Sequence, residues 1–111
     1  MRPWLIPGRF QPLHEGHIKL IRTLLEEGDP VVLGILDAPK DSNNPYSLEE
    51  RKAMIVKEFK DEISVGMIGI MTLPHIKGIA HGRNVGYDIR EIRLDDETES
   101  ISGTDIRNNK K

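Results

Sequence analysis

PWLIPGRFQPLHEGH, residues 3–17, contains a predicted strand, a loop and the start of a helix in immediate succession. The apolar segment from Pro3 to Ile6 predicts a short buried strand that ends at a Pro-Gly turn. A loop over residues 8–13 follows. A helix is predicted from Glu15 to Glu27 because its apolar residues recur with helical spacing, and Gly28 lies just past its end, as a stop. A βαβ unit begins with this order of elements.

The alternation of strand and helix continues along the chain. Pro30 to Leu36 is a nearly continuous apolar run, typical of a strand covered on both faces of a parallel sheet. Ser47 followed by Glu50 predicts a capping-box start for a second helix, which places Leu48, Ile55 and Phe59 on one face. Later strands are predicted at Gly66–Leu73, Ile76–His81 and Tyr87–Leu94, and a last short helix at Ser102–Asn108. This alternation predicts an α/β fold, a parallel sheet with helices on its faces.

Length and composition limit the classes of protein that the chain can form. Its 111 residues predict one domain, residues 1–111. Acidic and basic residues are mixed and the formal net charge is -2, so we expect no nucleic-acid partner held by a broad basic surface. The chain has no cysteine, which excludes disulfides and thiolate metal sites. With no run long and apolar enough for a membrane span or a signal peptide, we expect no membrane partner and a cytoplasmic location.

The first candidate site is a pair of histidines at the predicted start of the first helix. His14 and His17 are three residues apart, so both imidazoles can share one helix face. Free backbone N–H groups and the helix dipole favour an anion there. Gly8 and Gly16 lack side chains and let a ligand approach the backbone closely. These residues predict a phosphate-binding site. The alternatives are two solvated surface histidines, or a zinc site that would need further protein ligands.

The second candidate site is ISGTDIR, residues 101–107. Ser102 and Thr104 offer hydroxyls at a predicted helix start, and Arg107 offers a planar guanidinium suited to phosphate. The alternative is an ordinary capped C-terminal helix. In parallel sheets ligands bind beyond the carboxyl ends of the strands. Both candidate sites follow predicted strands, and we expect them to meet at that edge.

These two segments resemble the signatures of the HxGH nucleotidyltransferase superfamily. GRFQP with His14-x-Gly16-His17 resembles the first signature and is most similar to its nicotinamide-mononucleotide adenylyltransferase branch. ISGTDIR resembles the second signature, ISxTxIR. The resemblance implies a Rossmann-like α/β fold, with a parallel sheet of about five strands in the order 3-2-1-4-5 and helices on both faces. It also implies transfer of a nucleoside monophosphate, AMP in this branch, from a nucleoside triphosphate to a phosphate-bearing acceptor, with release of pyrophosphate.

The resemblance further implies a role for each matching position. His14, His17 and Arg107 are the implied catalytic residues, which contact the triphosphate. The implied nucleotide-binding residues are Gly8, Arg9, Phe10, Gln11, Gly16, Gly82, Arg83, Ile101, Ser102, Gly103 and Thr104. Lys40 and Arg51 are the implied acceptor contacts, Arg51 because residues 44–51 resemble the family's NPF-T-x-x-ER segment. The alternatives are a solvated loop lysine for Lys40 and a salt bridge along the helix for Arg51.

The resemblance also implies the ligands and partners. A magnesium ion is expected to bind with the triphosphate, which is ATP or CTP, and the acceptor is a small phosphorylated molecule such as nicotinamide mononucleotide. Relatives of this branch are longer, so we expect a homodimer in which the second subunit completes part of the core. IAHGRNVGYDIREIRL, residues 79–94, also resembles short phage or metagenomic nucleotidyltransferase-like domains, some joined to an adenylylsulfate kinase domain. Two other functions stay open: a cytidylyltransferase acting on a sugar- or polyol-phosphate, and a non-catalytic nucleotide-binding module.

Overall fold

The described part of the chain is a small parallel sheet with helices. A computed structural model describes residues 2–38, 41–42, 45–80, 82 and 88–92. Its elements are β1 (Trp4–Gly8), α1 (Glu15–Glu26), β2 (Val31–Leu36), α2 (Leu48–Glu58), α3 (Lys60–Ser64) and β3 (Ile68–Leu73). The strands pair in parallel in the order β1-β2-β3. The predicted α/β class with a parallel sheet is therefore confirmed.

The first two helices begin where the sequence predicts. Ser47 is the N-cap of α2: its hydroxyl accepts from the backbone N–H of Glu50, and its own N–H donates to the Glu50 carboxylate, both at 3.1 Å. This confirms the predicted capping box.

Among the described residues, no helix has the length and apolar character needed to cross a bilayer.

Two predicted strands do not form where the structure describes them. Residues 76–80 and 88–92 carry no strand, although strands are predicted from Ile76 and from Tyr87. The reason is weak burial, since Ile79 and Ile89 are 60% and 61% exposed and so contribute little packing against a neighbouring strand. The remaining positions of both predicted strands, and the predicted helix over residues 102–108, lie outside the described residues.

The core lies between one face of the sheet and the helices. Alternate residues of β2 are fully buried, as are Ile21 of α1, Ile55 of α2 and Phe59 just after it. The buried cluster consists of Phe10, Ile21, Leu24, Val31, Leu33, Ile35, Ile55, Phe59 and Ile68, and Ile63 of α3 packs against it. The described helices thus all cover the same face.

The opposite face of the sheet is partly open. Leu5 and Met71 on that face are 48% and 44% exposed. Parallel sheets are usually covered on both faces, and the sequence predicts helices on both. Within the described residues only one layer of helices is present.

Two glycines on this open face differ in the space around them. A Cβ at Gly34 would lie 2.5 Å from Leu73 Cδ1 and 3.3 Å from Leu5 Cδ1, whereas a Cβ at Gly69 would lie 3.7 Å from Val32 Cγ2. We expect Gly34→Ala to lower the free energy of unfolding by about 1–2 kcal/mol relative to Gly69→Ala, because Leu73 must move to admit the methyl group. Urea denaturation of the two variants measures the difference. Equal midpoints would contradict it.

Candidate functional site

β1 ends at Gly8, and the chain then crosses the carboxyl edge of the sheet in a tightly packed loop. Phe10 in this loop has a φ of 53°, in the left-handed region that side chains rarely adopt. Its ring is 1% exposed, so burial stabilises this conformation. A Cβ at Gly8 would lie 3.2 Å from Phe10 Cε2. The glycine predicted to admit a ligand therefore also makes room for the Phe10 ring.

The two histidines together form the N-terminal cap of α1. His14 is the N-cap, and its Nδ1 accepts from the backbone N–H of Gly16 at 3.0 Å. The backbone N–H of His14 in turn donates to Nδ1 of His17 at 3.2 Å. The two rings stack with 3.8 Å between centroids and 24° between planes. The imidazoles thus lie side by side at the helix N-terminus, as predicted, but they meet as N-cap and third residue of a capping box and not as two residues on one helix face.

These hydrogen bonds fix where each neutral ring carries its proton. A nitrogen that accepts from an N–H group has no proton of its own, so the proton must be on Nε2 of both rings. Burial, and to a lesser extent the neighbouring His14, together lower the pKa of His17 to about 4. Burial also lowers the pKa of His14. At neutral pH the pair therefore has two uncharged Nε2–H donors at the helix start, where the backbone N–H groups of His14 and Gly16 already donate to the two rings.

The structure places Arg51 beneath the loop rather than at its surface. The side chain is 1% exposed. Its Nη1 donates to the carbonyl of Arg9 at 2.9 Å and to that of Leu36 at 2.7 Å, and its Nε donates to the carbonyl of Ser47 at 3.3 Å. Burial lowers its pKa, while the charge of Asp37 raises it. A direct contact with an acceptor phosphate would have to use Nη2.

Gln11 is likewise engaged within the protein. It is 2% exposed, and its amide pairs with the backbone of Tyr46: Nε2 donates to the carbonyl at 2.9 Å, and Oε1 accepts from the N–H at 3.0 Å. The sequence suggests Gln11 as a nucleotide contact, and the pairing with Tyr46 is not foreseen. Every residue has the same backbone groups, so no sequence signal could have identified Tyr46 as the partner of Gln11.

The other predicted site residues divide into two groups. Arg9 and Gly82 are exposed, and Gly16 is buried at the start of α1. The rest lie outside the described residues: Lys40, Arg83, Ile101, Ser102, Gly103, Thr104 and Arg107. The convergence of Arg107 with the histidine pair therefore remains a prediction.

Comparison with known proteins identifies the class to which this loop and helix start belong. The family model described as cytidylyltransferase-like matches residues 5–69, which include the whole of the first signature. The match covers more than half of the chain, which therefore belongs to the cytidylyltransferase-like family of nucleotidyltransferases. The predicted superfamily is confirmed.

Within that family, the chain is similar to nicotinamide-nucleotide adenylyltransferases. It is 31% identical to the enzyme of that name from Methanococcus aeolicus, over 93% of this chain and 74% of the relative. It is 41% identical to the one from Methanolobus tindarius, over 55% of this chain and 36% of the relative. These relatives favour adenylyl over cytidylyl transfer, as predicted.

A solved structure supports the same placement. The chain resembles a bifunctional NMN adenylyltransferase/ADP ribose pyrophosphatase from Francisella tularensis, solved in complex with AMP and a manganese ion. The TM-score is 0.55 and the sequence identity 32%, over 63% of this chain and 22% of that one. The chain thus spans three quarters of the Methanococcus relative but a much smaller part of the other two proteins.

Proposed function

We propose that the chain transfers AMP from ATP to the phosphate of a mononucleotide acceptor, nicotinamide mononucleotide, and releases pyrophosphate. The observation that carries this proposal is the histidine pair. Two stacked neutral imidazoles offer Nε2–H donors at a helix N-terminus, where phosphate oxygens are favoured. The names of the relatives supply the acceptor.

The reaction needs no nucleophile from the protein. An oxygen of the acceptor phosphate attacks the α-phosphorus of ATP in line, a new P–O bond forms, and the bond to the β-phosphate oxygen breaks. Catalysis then consists of positioning and of donors aimed at the developing charge. In this proposal His17 donates to the α-phosphate oxygens, His14 holds the bridging region, and Arg107 binds the departing pyrophosphate.

The surrounding residues complete the proposed nucleotide site. Gly8 and Gly16 allow the phosphates to approach the backbone, and the exposed Arg9 adds a cation at the rim. The further proposed nucleotide contacts are Gly82, Arg83, Ile101, Ser102, Gly103 and Thr104. Lys40 is the proposed acceptor contact.

A divalent cation fits this site as a companion of the triphosphate. No group of three or more His, Asp or Glu side chains suited to a metal ion occurs among the residues that the structure describes. Magnesium usually keeps several waters and binds through substrate phosphates, so a metal carried by the nucleotide requires no such group. When bound, it neutralises part of the charge of the triphosphate.

A pyrophosphate-release assay tests the proposal. ATP and CTP are each supplied with nicotinamide mononucleotide, with sugar- and polyol-phosphates, or with no acceptor. We expect turnover with ATP and nicotinamide mononucleotide, with the dinucleotide product identified by mass spectrometry. Turnover only with CTP and a sugar- or polyol-phosphate would overturn the proposal in favour of a cytidylyltransferase. ATP binding without pyrophosphate release for every acceptor would overturn it in favour of a non-catalytic module.

A further inference from the structure

The first turn of α2 and the residues before it hold the loop that leads to the histidines. Gln11 pairs with both backbone groups of Tyr46, and Arg51 donates to the carbonyl of Arg9. These hydrogen bonds thus hold the loop in place on either side of Phe10. Because these bonds cross 35 and 42 residues of chain, they depend on the tertiary fold and not on local structure.

Arg51 joins three segments through one guanidinium. Its acceptors belong to the loop (Arg9), to the carboxyl end of β2 (Leu36) and to the N-cap of α2 (Ser47). The side chain is 1% exposed. A buried cation is costly unless its donors are used, and a lysine has neither the planar fork nor the reach to serve all three carbonyls.

The hydrogen bond from Arg51 to Arg9 is connected to the histidine pair through Phe10. The Arg9 carbonyl belongs to the peptide that precedes Phe10, whose φ of 53° requires external support. The Phe10 ring lies 4.7 Å from the His17 ring, and His17 stacks on His14. A shift of the Arg9–Phe10 peptide would therefore move the surface on which His17 packs.

We propose that Arg51 is a positioning residue, which holds the Arg9–Phe10 peptide so that His17 and His14 keep their Nε2–H groups directed at the substrate. This gives Arg51 a different role from the direct acceptor contact that its position in the sequence suggests. The effect on turnover rests on the proposed function, whereas the effect on the imidazoles does not.

Kinetics of Arg51→Lys separate the two roles. A misplacement of catalytic groups by about 1 Å can cost on the order of 10²-fold in rate, so we expect kcat to fall by about 10- to 100-fold while KM for the acceptor changes by less than about threefold. Lys57→Met, which removes an exposed cation from the same helix, is the control and should leave kcat unchanged. A higher KM with unchanged kcat would overturn the proposal, because Arg51 would then be a direct acceptor contact.

Nitrogen NMR of the ligand-free protein gives a second readout that requires no activity. In the wild type both imidazoles should show the Nε2–H form with an unprotonated Nδ1. In Arg51→Lys the signals of His17 should shift towards a mixture of the two neutral forms. A folded Arg51→Lys with wild-type imidazole signals and wild-type kcat would overturn the proposal. If the wild type proves inactive with every acceptor, the proposed function fails but the NMR test still decides the positioning role.

Gln11→Met is the alternative test variant if Arg51→Lys does not fold. It removes the hydrogen bonds to Tyr46 on the other side of Phe10 at similar volume, and no charge changes. We expect the His17 signals to shift in the same direction, with a smaller loss of kcat. Unchanged signals and unchanged kcat would show that fastening of the loop does not position the imidazoles.

Discussion

Replacing His17 with alanine will lower kcat for adenylyl transfer by about 10²–10³-fold, the usual effect of losing one preorganised donor to a developing charge. The same change removes the acceptor for the His14 N–H and so weakens the start of α1, by about 1 kcal/mol. Pyrophosphate release and urea denaturation measure the two effects. A kcat within about threefold of the wild type would contradict the proposed role of His17.

His17→Glu separates the cap from the chemistry. Glutamate is favoured at this position of a capping box and can accept from the His14 N–H in place of the imidazole. Its carboxylate offers no donor at neutral pH and repels the triphosphate. We therefore expect stability close to that of the wild type but no recovery of kcat. Recovery of activity in this variant would show that the alanine variant fails through loss of the helix start.

The second large effect is a loss of stability in mild acid that depends on His17. The pKa of this ring is lowered to about 4 in the folded protein, from 6.5. Between pH 4 and pH 6.5 the unfolded chain binds a proton at His17 that the folded chain does not. The contribution of His17 to the free energy of unfolding is therefore complete above pH 6.5 and is lost as the pH falls towards 4. One pKa unit corresponds to about 1.4 kcal/mol, and with allowance for the partly exposed ring we expect a loss of about 2 kcal/mol.

Denaturation midpoints at several pH values between 7 and 4 measure this effect. Other groups titrate in this range, so His17→Gln is the control: glutamine can keep the cap and does not titrate. The two proteins should have similar stability near pH 7, and the wild type should lose more as the pH falls. Parallel curves would contradict the lowered pKa.

The elements around the first signature could be predicted because their signals are local. A short apolar run, helical spacing and a Ser-Glu capping box identify β1, β2, α1 and α2. The limits of β1, α1 and β2 lie within two residues of the predicted ones, and α2 begins directly after its predicted cap. The strands predicted from Ile76 and Tyr87 depend instead on which surface the segment meets. Local apolar content cannot settle that, as the exposure of Ile79 and Ile89 shows.

The candidate site shows a similar division. Spacing predicts that the two histidines lie together, but not how: His14 is the N-cap with an extended backbone, so the rings meet through a capping box and not on one helix face. Gln11 belongs to the first signature and Arg51 to the segment over residues 44–51, and the donors of both side chains go to backbone carbonyls. Residue type shows that a side chain can donate, while only the fold shows what accepts. Long-range pairing with the main chain is thus the part of the site that the sequence could not supply.

The cap formed by two neutral imidazoles also affects how a nucleotide arrives. Rings without formal charge and backbone dipoles act over a few ångströms, so the histidine pair itself does not draw an anion from a distance. Any long-range attraction must come from the arginines of the proposed site, and the contribution of the imidazoles is confined to the final approach. We expect His17→Ala to leave the ionic-strength dependence of the association rate constant for ATP unchanged, whereas Arg9→Gln should reduce it.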